Sequence, residues 1–463
     1  MKKLFKILII FLFTLLLTSC INSKSTPILE VFYINDLHGS ILESNEEMGL
    51  AKIGNLIVET KKTNPNTIFL AGGDMFQGSA ISNYYFGEPV IEILDHMEID
   101  ANILGNHEFD WGIDKITNYY GDNKLAKHPL LSLNTFYKIT TNLIEDIDPY
   151  KIISLPDFRV GVIGYIDDLR SSIMASMIEP YVFANPLTYI KDTAKYLREV
   201  EKCNFIIVAG HSANRTLTES MRSYEIDLYL EAHSHMPYIN TLSNGKIVAQ
   251  AGSNGKFVFH ATYDKNLNNL SKILLNKENE PLLNKTNSDI ESILNKYILL
   301  TEDIFKKPII TNGSKLISKT SLTIWAAKVI SAYYNADIGF HNSGGTRDVI
   351  LANEVINFEL IYKIFPFDNL VLHVKLNEKQ MREAYNSSYY TKSNNLNIED
   401  KDYYVAVNQY IYEESRNIFL SGILLDGSIL MRDIILQELE LQSLVYSYFS
   451  VDNEILIGNK DLT

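Results

Sequence analysis

Cysteine is scarce: only Cys20 and Cys203 occur in 463 residues. That excludes a disulfide-stapled scaffold, and Cys203 reads as a buried structural thiol. Positive charge is also short, with 42 Lys and Arg against 56 Asp and Glu, a formal charge of −14. A body this acidic excludes nucleic acid or anionic lipid as the main ligand, although a local positive site is still allowed. Internal repeats and low-complexity tracts are absent. Beyond the N-terminus there is no apolar run of the roughly 20 residues a membrane-spanning helix needs. What is present is ample apolar material, 46% of residues with 21% charged, in a chain too long for one ordinary domain.

The N-terminus reads as a secretion signal. Lys2, Lys3 and Lys6 precede the apolar run from Ile7 to Leu17, broken only by Thr14. Such a run is shorter than a bilayer span. It ends in Leu17-Thr18-Ser19-Cys20, which resembles the lipobox of bacterial lipoproteins, where the Cys is acylated and becomes the mature N-terminus. An ordinary signal peptide or a membrane anchor is the other reading. The resemblance implies an extracytoplasmic protein held to the bacterial membrane through Cys20, with residues 21–27 as a polar tether. Removing residues 1–19 removes three lysines and no acid, so the formal charge falls from −14 to −17.

Residues 28–265 alternate β-branched runs with longer mixed segments, an α/β pattern around a central sheet. The runs predict strands at Ile28–Asn35, Thr67–Ala71, Ala101–Leu104, Arg159–Tyr165, Asn204–Ala209, Asp227–Glu231, Lys246–Ala251 and Phe257–Tyr263. Helices are predicted at Leu50–Lys62 and Pro186–Glu201. Residues 266–315 are rich in Asn, Lys and Glu and read as a linker, with a connecting helix over Ile290–Phe305. A second, smaller α/β segment follows over 316–463, with a helix at Leu322–Asn335 and strands at Ile338–His341, Leu370–Lys375 and Tyr404–Val407.

Five clusters sit where a predicted strand gives way to a loop. They are Asn35-Asp36-Leu37-His38-Gly39, Gly72-Gly73-Asp74, Gly105-Asn106-His107-Glu108-Phe109-Asp110, Ala209-Gly210-His211 and Ala232-His233-Ser234-His235. They hold five of the ten histidines. A lone His or Asp at a strand end is usually structural; five such clusters in one domain are not. Carboxylates, imidazoles and one amide oxygen suit Zn²⁺, Mn²⁺ or another first-row metal. The lack of a Cys ligand argues against a purely structural zinc site.

These motifs resemble the calcineurin-like metallophosphatase signature, in the form found in the bacterial and animal 5′-nucleotidase family. The resemblance implies a four-layer metallophosphoesterase β-sandwich flanked by helices, plus a smaller α/β substrate-binding domain. It implies two divalent metal ions, one on Asp36, His38 and His235, the other on Asn106, His211 and His233, with Asp74 bridging. His107 would face the phosphate, turned and kept charged by Asp110. His96, His128, His260, His341 and His373 match no motif position and read as structural. Two cations lower the pKa of a shared water, so that hydroxide can attack phosphorus in line with the leaving oxygen.

The second segment would choose the substrate. His341-Asn342-Ser343-Gly344-Gly345-Thr346-Arg347 resembles the family's Asn-x-Gly-x-x-Arg loop, which makes Asn342, Gly344 and Arg347 substrate-binding candidates; an Arg fork suits a phosphate. Phe365-Pro366-Phe367-Asp368-Asn369 resembles Pro-Phe-Gly-Asn, in which Phe367 takes the place of an aromatic that stacks on a nucleobase. Tyr410 takes a second aromatic place, but the Gly-Gly-Asp expected after it is missing. The Gly-Asn pair and acid expected in the first helix are missing too, where the chain reads Thr320-Ser321-Leu322. The implied function is hydrolysis of extracytoplasmic nucleotides as phosphomonoesters, with no nucleic-acid or protein partner expected. A 2′,3′-cyclic phosphodiesterase, a UDP-sugar hydrolase or another phosphoesterase of the same superfamily is the alternative within the class. Outside it stands a surface binding lipoprotein with a vestigial site, which predicts lost ligands, and none is lost. The linker would act as a hinge between the domains.

Overall fold

The computed structural model describes residues 27–458, apart from 45, 122–123, 224 and 415–417. Cys20, with the signal and most of the tether, lies outside the described residues. Among those described, no helix is long and apolar enough to cross a membrane.

The first domain is built on two sheets. One has seven strands in the order Asn269–Leu275, Val258–Asp264, Ile28–Ile34, Thr67–Ala71, Ala101–Ile103, Leu130–Leu131 and Ile147–Asp148. From Ile28–Ile34 to Ile147–Asp148 the neighbours are parallel. The other sheet has six strands, with Ile247–Ala251, Leu228–Leu230, Phe205–His211 and Arg159–Ile166 parallel at its centre. Parallel strands are covered on both faces and so read as continuous apolar runs; all five residues of Thr67–Ala71 are buried. Val31, Leu70, Ile103, Val162, Ile207 and Leu230 fill the space between the sheets. Helices Leu50–Thr63 and Glu88–His96 cover the outer face of the first sheet. Helix Leu187–Glu199 covers the second, burying Ile190, Ala194 and Leu197, one stripe at helical spacing. The four-layer sandwich expected from the family resemblance is what forms.

Residues 266–305 are not a free linker. Strand Asn269–Leu275 pairs along Val258–Asp264 and closes the edge of the seven-stranded sheet. Helix Ser288–Phe305, capped by the Asn287 side chain, sinks Ile290, Leu294, Tyr297 and Phe305 into the first domain's core. The sequence hid this because the strand's outer positions are polar, and an edge strand needs apolar residues on one face only.

The second domain has a five-stranded sheet in the order Thr391–Lys392, Ile338–His341, Tyr403–Asn408, Leu370–Leu376 and Ile423–Leu430. Helices Lys319–Tyr333 and Met431–Val445 pack on one face around Trp325, and Met381 and Phe419 pack on the other. The Ser318 side chain caps the first of these helices through Ser321 N at 3.2 Å.

His341 lies fully buried at a strand end of this domain, where its Nδ1 accepts from Asn408 at 2.9 Å. Burial lowers its pKa to about 3. The folded value lies below the unfolded one of about 6.5, so below that pH the unfolded chain binds the extra proton. This contribution is therefore present above pH 6.5 and is lost as pH falls toward 3. We expect it to cost about 1.4 kcal/mol per pH unit across that window. His341→Gln should lose less stability than the parent between pH 7 and 5, read from urea midpoints; parallel declines would refute the assignment.

Candidate active site

The parallel strands of both sheets end at one edge of the sandwich, and each cluster leaves from such an end. Asp36 follows Ile28–Ile34, Asp74 follows Thr67–Ala71, Asn106 follows Ala101–Ile103, and His211 ends its own strand. His233 and His235 follow Leu228–Leu230. Five of these residues take left-handed backbone, with φ of 49° at Asp36, 50° at His38, 52° at Asp74, 76° at His233 and 61° at His235. Gly73 shares that region at φ 84°, and a Cβ there would stand 2.7 Å from Gly105 N, so the chain can cross itself only at glycine.

The ligand atoms converge. Asp36, His38 and His235 offer atoms within 4.8 Å of one another, as do Asp74, His211 and His233. His38 Nδ1 meets Gln77 O at 3.1 Å, leaving Nε2 to face His235 Nε2 at 3.1 Å. His211 Nδ1 meets Gly72 O at 2.8 Å, so its Nε2 turns to Asn106 Oδ1 and Asp74 Oδ2, both at 3.1 Å. His233 Nδ1 lies 3.0 Å from the same Asn106 oxygen. Asp36 Oδ2 accepts from Asn35 and from His233 N, while its buried Oδ1 makes no hydrogen bond among the described residues and lies 3.4 Å from His235 Nε2. A buried carboxylate oxygen without a hydrogen bond, beside imidazole nitrogens aimed at one point, fits a divalent cation. Backbone acceptors behind the imidazoles fix which nitrogen faces inward.

His107 stands beside this cluster. Its Nδ1 lies 2.7 Å from Asp110 Oδ2 and its Nε2 4.0 Å from Asp74 Oδ2. Burial works against its charge, but Asp110 and Asp74 prevail and raise its pKa to about 9. His38 moves the other way, to about 3, chiefly through burial, and so stays neutral. Asp74 is held well below the usual carboxylate range; burial opposes this, and the charges of His211 and His107 outweigh it.

Glu108 was quoted in its motif but given no role. It is buried and accepts from the backbone N–H of Asp74, Met75 and Gly105 at 3.0, 2.9 and 2.7 Å, tying two ligand loops together. Burial and the nearby Asp74 raise its pKa to about 7.

A cavity of about 300 Å³ opens over the cluster between the two domains. Asp74, Asn106, His107, Asp110, His233 and His235 form its floor, and Asn342, Gly344, Arg347, Phe367 and Tyr410 come from the second domain. The Phe367 ring lies 5.8 Å from the His107 ring, and the Arg347 guanidinium 5.8 Å from the Phe367 ring. Trp111, Met174, Asp368 and Asn369 also line the cavity, and the sequence reading missed all four. The domains meet through Pro366 O, which accepts from Gln77 and Asn83, and through Tyr410 OH, which donates to Ser171 O at 2.9 Å. Glu413 accepts from Ser176 N and Oγ, each at 2.8 Å. The histidines set aside as structural lie elsewhere: His128 pairs with Asp95 and His260 with Glu30.

Residues 29–237 match the calcineurin-like phosphoesterase family, and residues 305–398 match the 5′-nucleotidase C-terminal domain. The chain thus carries a domain of the calcineurin-like phosphoesterase family followed by a 5′-nucleotidase C-terminal domain. An endonuclease of Bacillus subtilis is 26% identical over 78% of this chain and 32% of its own length. A cobra (Naja atra) venom 5′-nucleotidase is 27% identical over 56% of this chain and 54% of its own. The chain thus spans about a third and about half of these two relatives. A 5′-nucleotidase precursor from Thermus thermophilus shares the fold, with a TM-score of 0.73 at 17% identity over 90% of this chain and 97% of that one. The family is one of phosphoester hydrolases.

Proposed function

We propose that this protein hydrolyses nucleotide phosphomonoesters outside the cytoplasm, using two divalent metal ions. The observation that carries the reading is the convergence of Asp36, His38, Asp74, Asn106, His211, His233 and His235 directly beside the His107–Asp110 pair. Asp36, His38 and His235 would hold one ion, and Asn106, His211 and His233 the other, with Asp74 shared. The pair would supply an activated water and offset phosphate charge. His107, charged at neutral pH, donates from Nε2 to a phosphoryl oxygen as negative charge builds there. Arg347 presents a fork of donors to the same group from the second domain. Phe367 and Tyr410 bring aromatic faces to the cavity, against which a nucleobase would lie. The lipobox at Cys20 supports anchoring at the membrane exterior, which labelling with a radioactive fatty acid in cells, against Cys20→Ala, would test.

The function is tested by phosphate release from purified protein beginning at Ile21, with Mn²⁺, Zn²⁺ or Mg²⁺. The substrates are AMP, UMP, ATP, UDP-glucose, 2′,3′-cyclic AMP and an aryl phosphate. A nucleoside monophosphate is expected to give the highest kcat/KM. Preference for the aryl phosphate over every nucleotide would remove the nucleotide part of the reading.

A further inference from the structure

Strand Ile247–Ala251 supplies no ligand to the cluster and is apolar at every position but one. The exception is Gln250, whose amide is fully buried inside the six-stranded sheet. A polar group buried so completely is expected to be in use. Its Nε2 donates to Ser234 Oγ at 2.6 Å and to Met236 O at 2.9 Å. A carbonyl oxygen can only accept, so the amide must turn its NH₂ toward this loop. Oε1 then makes no hydrogen bond among the described residues. The residue serves through its donors, and both go to the chain neighbours of His235.

That histidine needs holding. Between Ala232 and Met236 the chain passes through two left-handed residues, His233 at φ 76° and His235 at φ 61°. Non-glycine residues in this region persist only where their surroundings fix them. His233 is fixed by its own N–H, which donates to Asp36 Oδ2 at 2.9 Å. The backbone of His235 makes no hydrogen bond among the described residues, and its side chain is 36% exposed. Gln250 spans it from beneath, with one donated bond on each side. The same strand end backs a second ligand. Ala251 N donates to Asn35 Oδ1 at 2.8 Å, and Asn35 Nδ2 donates to Gly252 O at 2.7 Å and to Asp36 Oδ2. Asp36 and His235, two of the three residues assigned to one ion alone, are therefore held from residues 250–252. The other set is held elsewhere, His211 by Gly72 O and the loops of Asp74 and Asn106 by Glu108.

Resting on the two-metal reading above, we propose that Gln250 is a positioning residue for the ion on Asp36, His38 and His235. By fixing the turn that aims His235, it sets the affinity of that ion separately from the affinity of the ion on Asn106, His211 and His233.

The test titrates metal-free protein with Mn²⁺ alone and follows binding by calorimetry, so no turnover enters the readout. The parent should take up two ions. Gln250→Met keeps the length of the side chain and loses both donated bonds. It should weaken one ion by about 10- to 100-fold, the cost of losing an outer partner of a ligand, and leave the other near its parent affinity. Ser234→Ala, at an exposed position, removes one of the two acceptors and should weaken the same ion to a smaller degree. His235→Ala identifies that ion: adding Gln250→Met to it should cost nothing more, because Gln250 acts through His235. Equal weakening of both ions by Gln250→Met overturns the proposal, and so does a further loss in the double variant. Unchanged binding in Ser234→Ala overturns it whether or not Gln250→Met folds. A parent that takes up fewer than two ions refutes the two-metal reading instead, and this inference with it.

Discussion

His107→Ala should lower kcat by about 10²- to 10⁴-fold, the range expected when a positioned proton-bearing group is lost. Bound metal should stay near two ions per chain. The two expectations separate because His107 sits beside the ligand cluster, with Nδ1 committed to Asp110 at 2.7 Å and Nε2 facing the cavity. With its pKa raised to about 9, the ring is a cation at neutral pH and costs no protonation step when phosphate charge develops. Asp110→Asn should act through the same ring, so the double variant should fall little below His107→Ala alone. Elemental analysis alongside steady-state kinetics decides the matter. Full activity in a His107→Ala protein loaded with metal would end this role for the ring.

Asp74→Asn is the other change with a large expected effect, and it works by a different route. Asp74 is 1% exposed, its Oδ1 accepts from His107 N at 2.8 Å, and its Oδ2 lies 3.1 Å from His211 Nε2. On the proposed reading it is the carboxylate shared between the two ligand sets, whose charge both ions would need. Outer partners of ligands already cost 10- to 100-fold in affinity or activity when removed, so the shared ligand should cost about 10³-fold or more in kcat/KM. Asn is nearly isosteric, so the fold should persist while bound metal drops below two per chain. A variant that still binds two ions and turns over at the parent rate would show that Asp74 does not bridge.

Much of the catalytic domain was legible because its signals are local. The bounds of Thr67–Ala71 and Ile338–His341 were legible to the residue, since both strands are buried along their whole length and so read as short, mostly apolar runs. The ligand clusters were legible because each lies within a few residues of such a strand end. On the cavity's other wall Asn342, Gly344, Arg347, Phe367 and Tyr410 were legible through their motifs. Trp111, Met174 and Asp368 were not, because no local pattern gives those three a place in the cavity. Residues 266–287 failed for a different reason: an edge strand carries a polar outer face, and that polarity reads as a linker, whereas the helix expected over Ile290–Phe305 is present as Ser288–Phe305. Glu108 shows a third kind of blindness. Its motif was recognised, but its task of holding three backbone N–H groups is visible only when the loops are folded together.

The left-handed backbone at Asp36, His38, Asp74, His233 and His235 has a consequence for how this chain can change. Each such residue carries a penalty on the order of 1–2 kcal/mol that glycine would escape. At these positions a random search for a sturdier protein would keep selecting the residues that remove the ligands. The rest of the sandwich must therefore be stable enough to hold them in place. Thermostabilising substitutions belong in the two sheets and their covering helices, where robustness and chemistry do not compete.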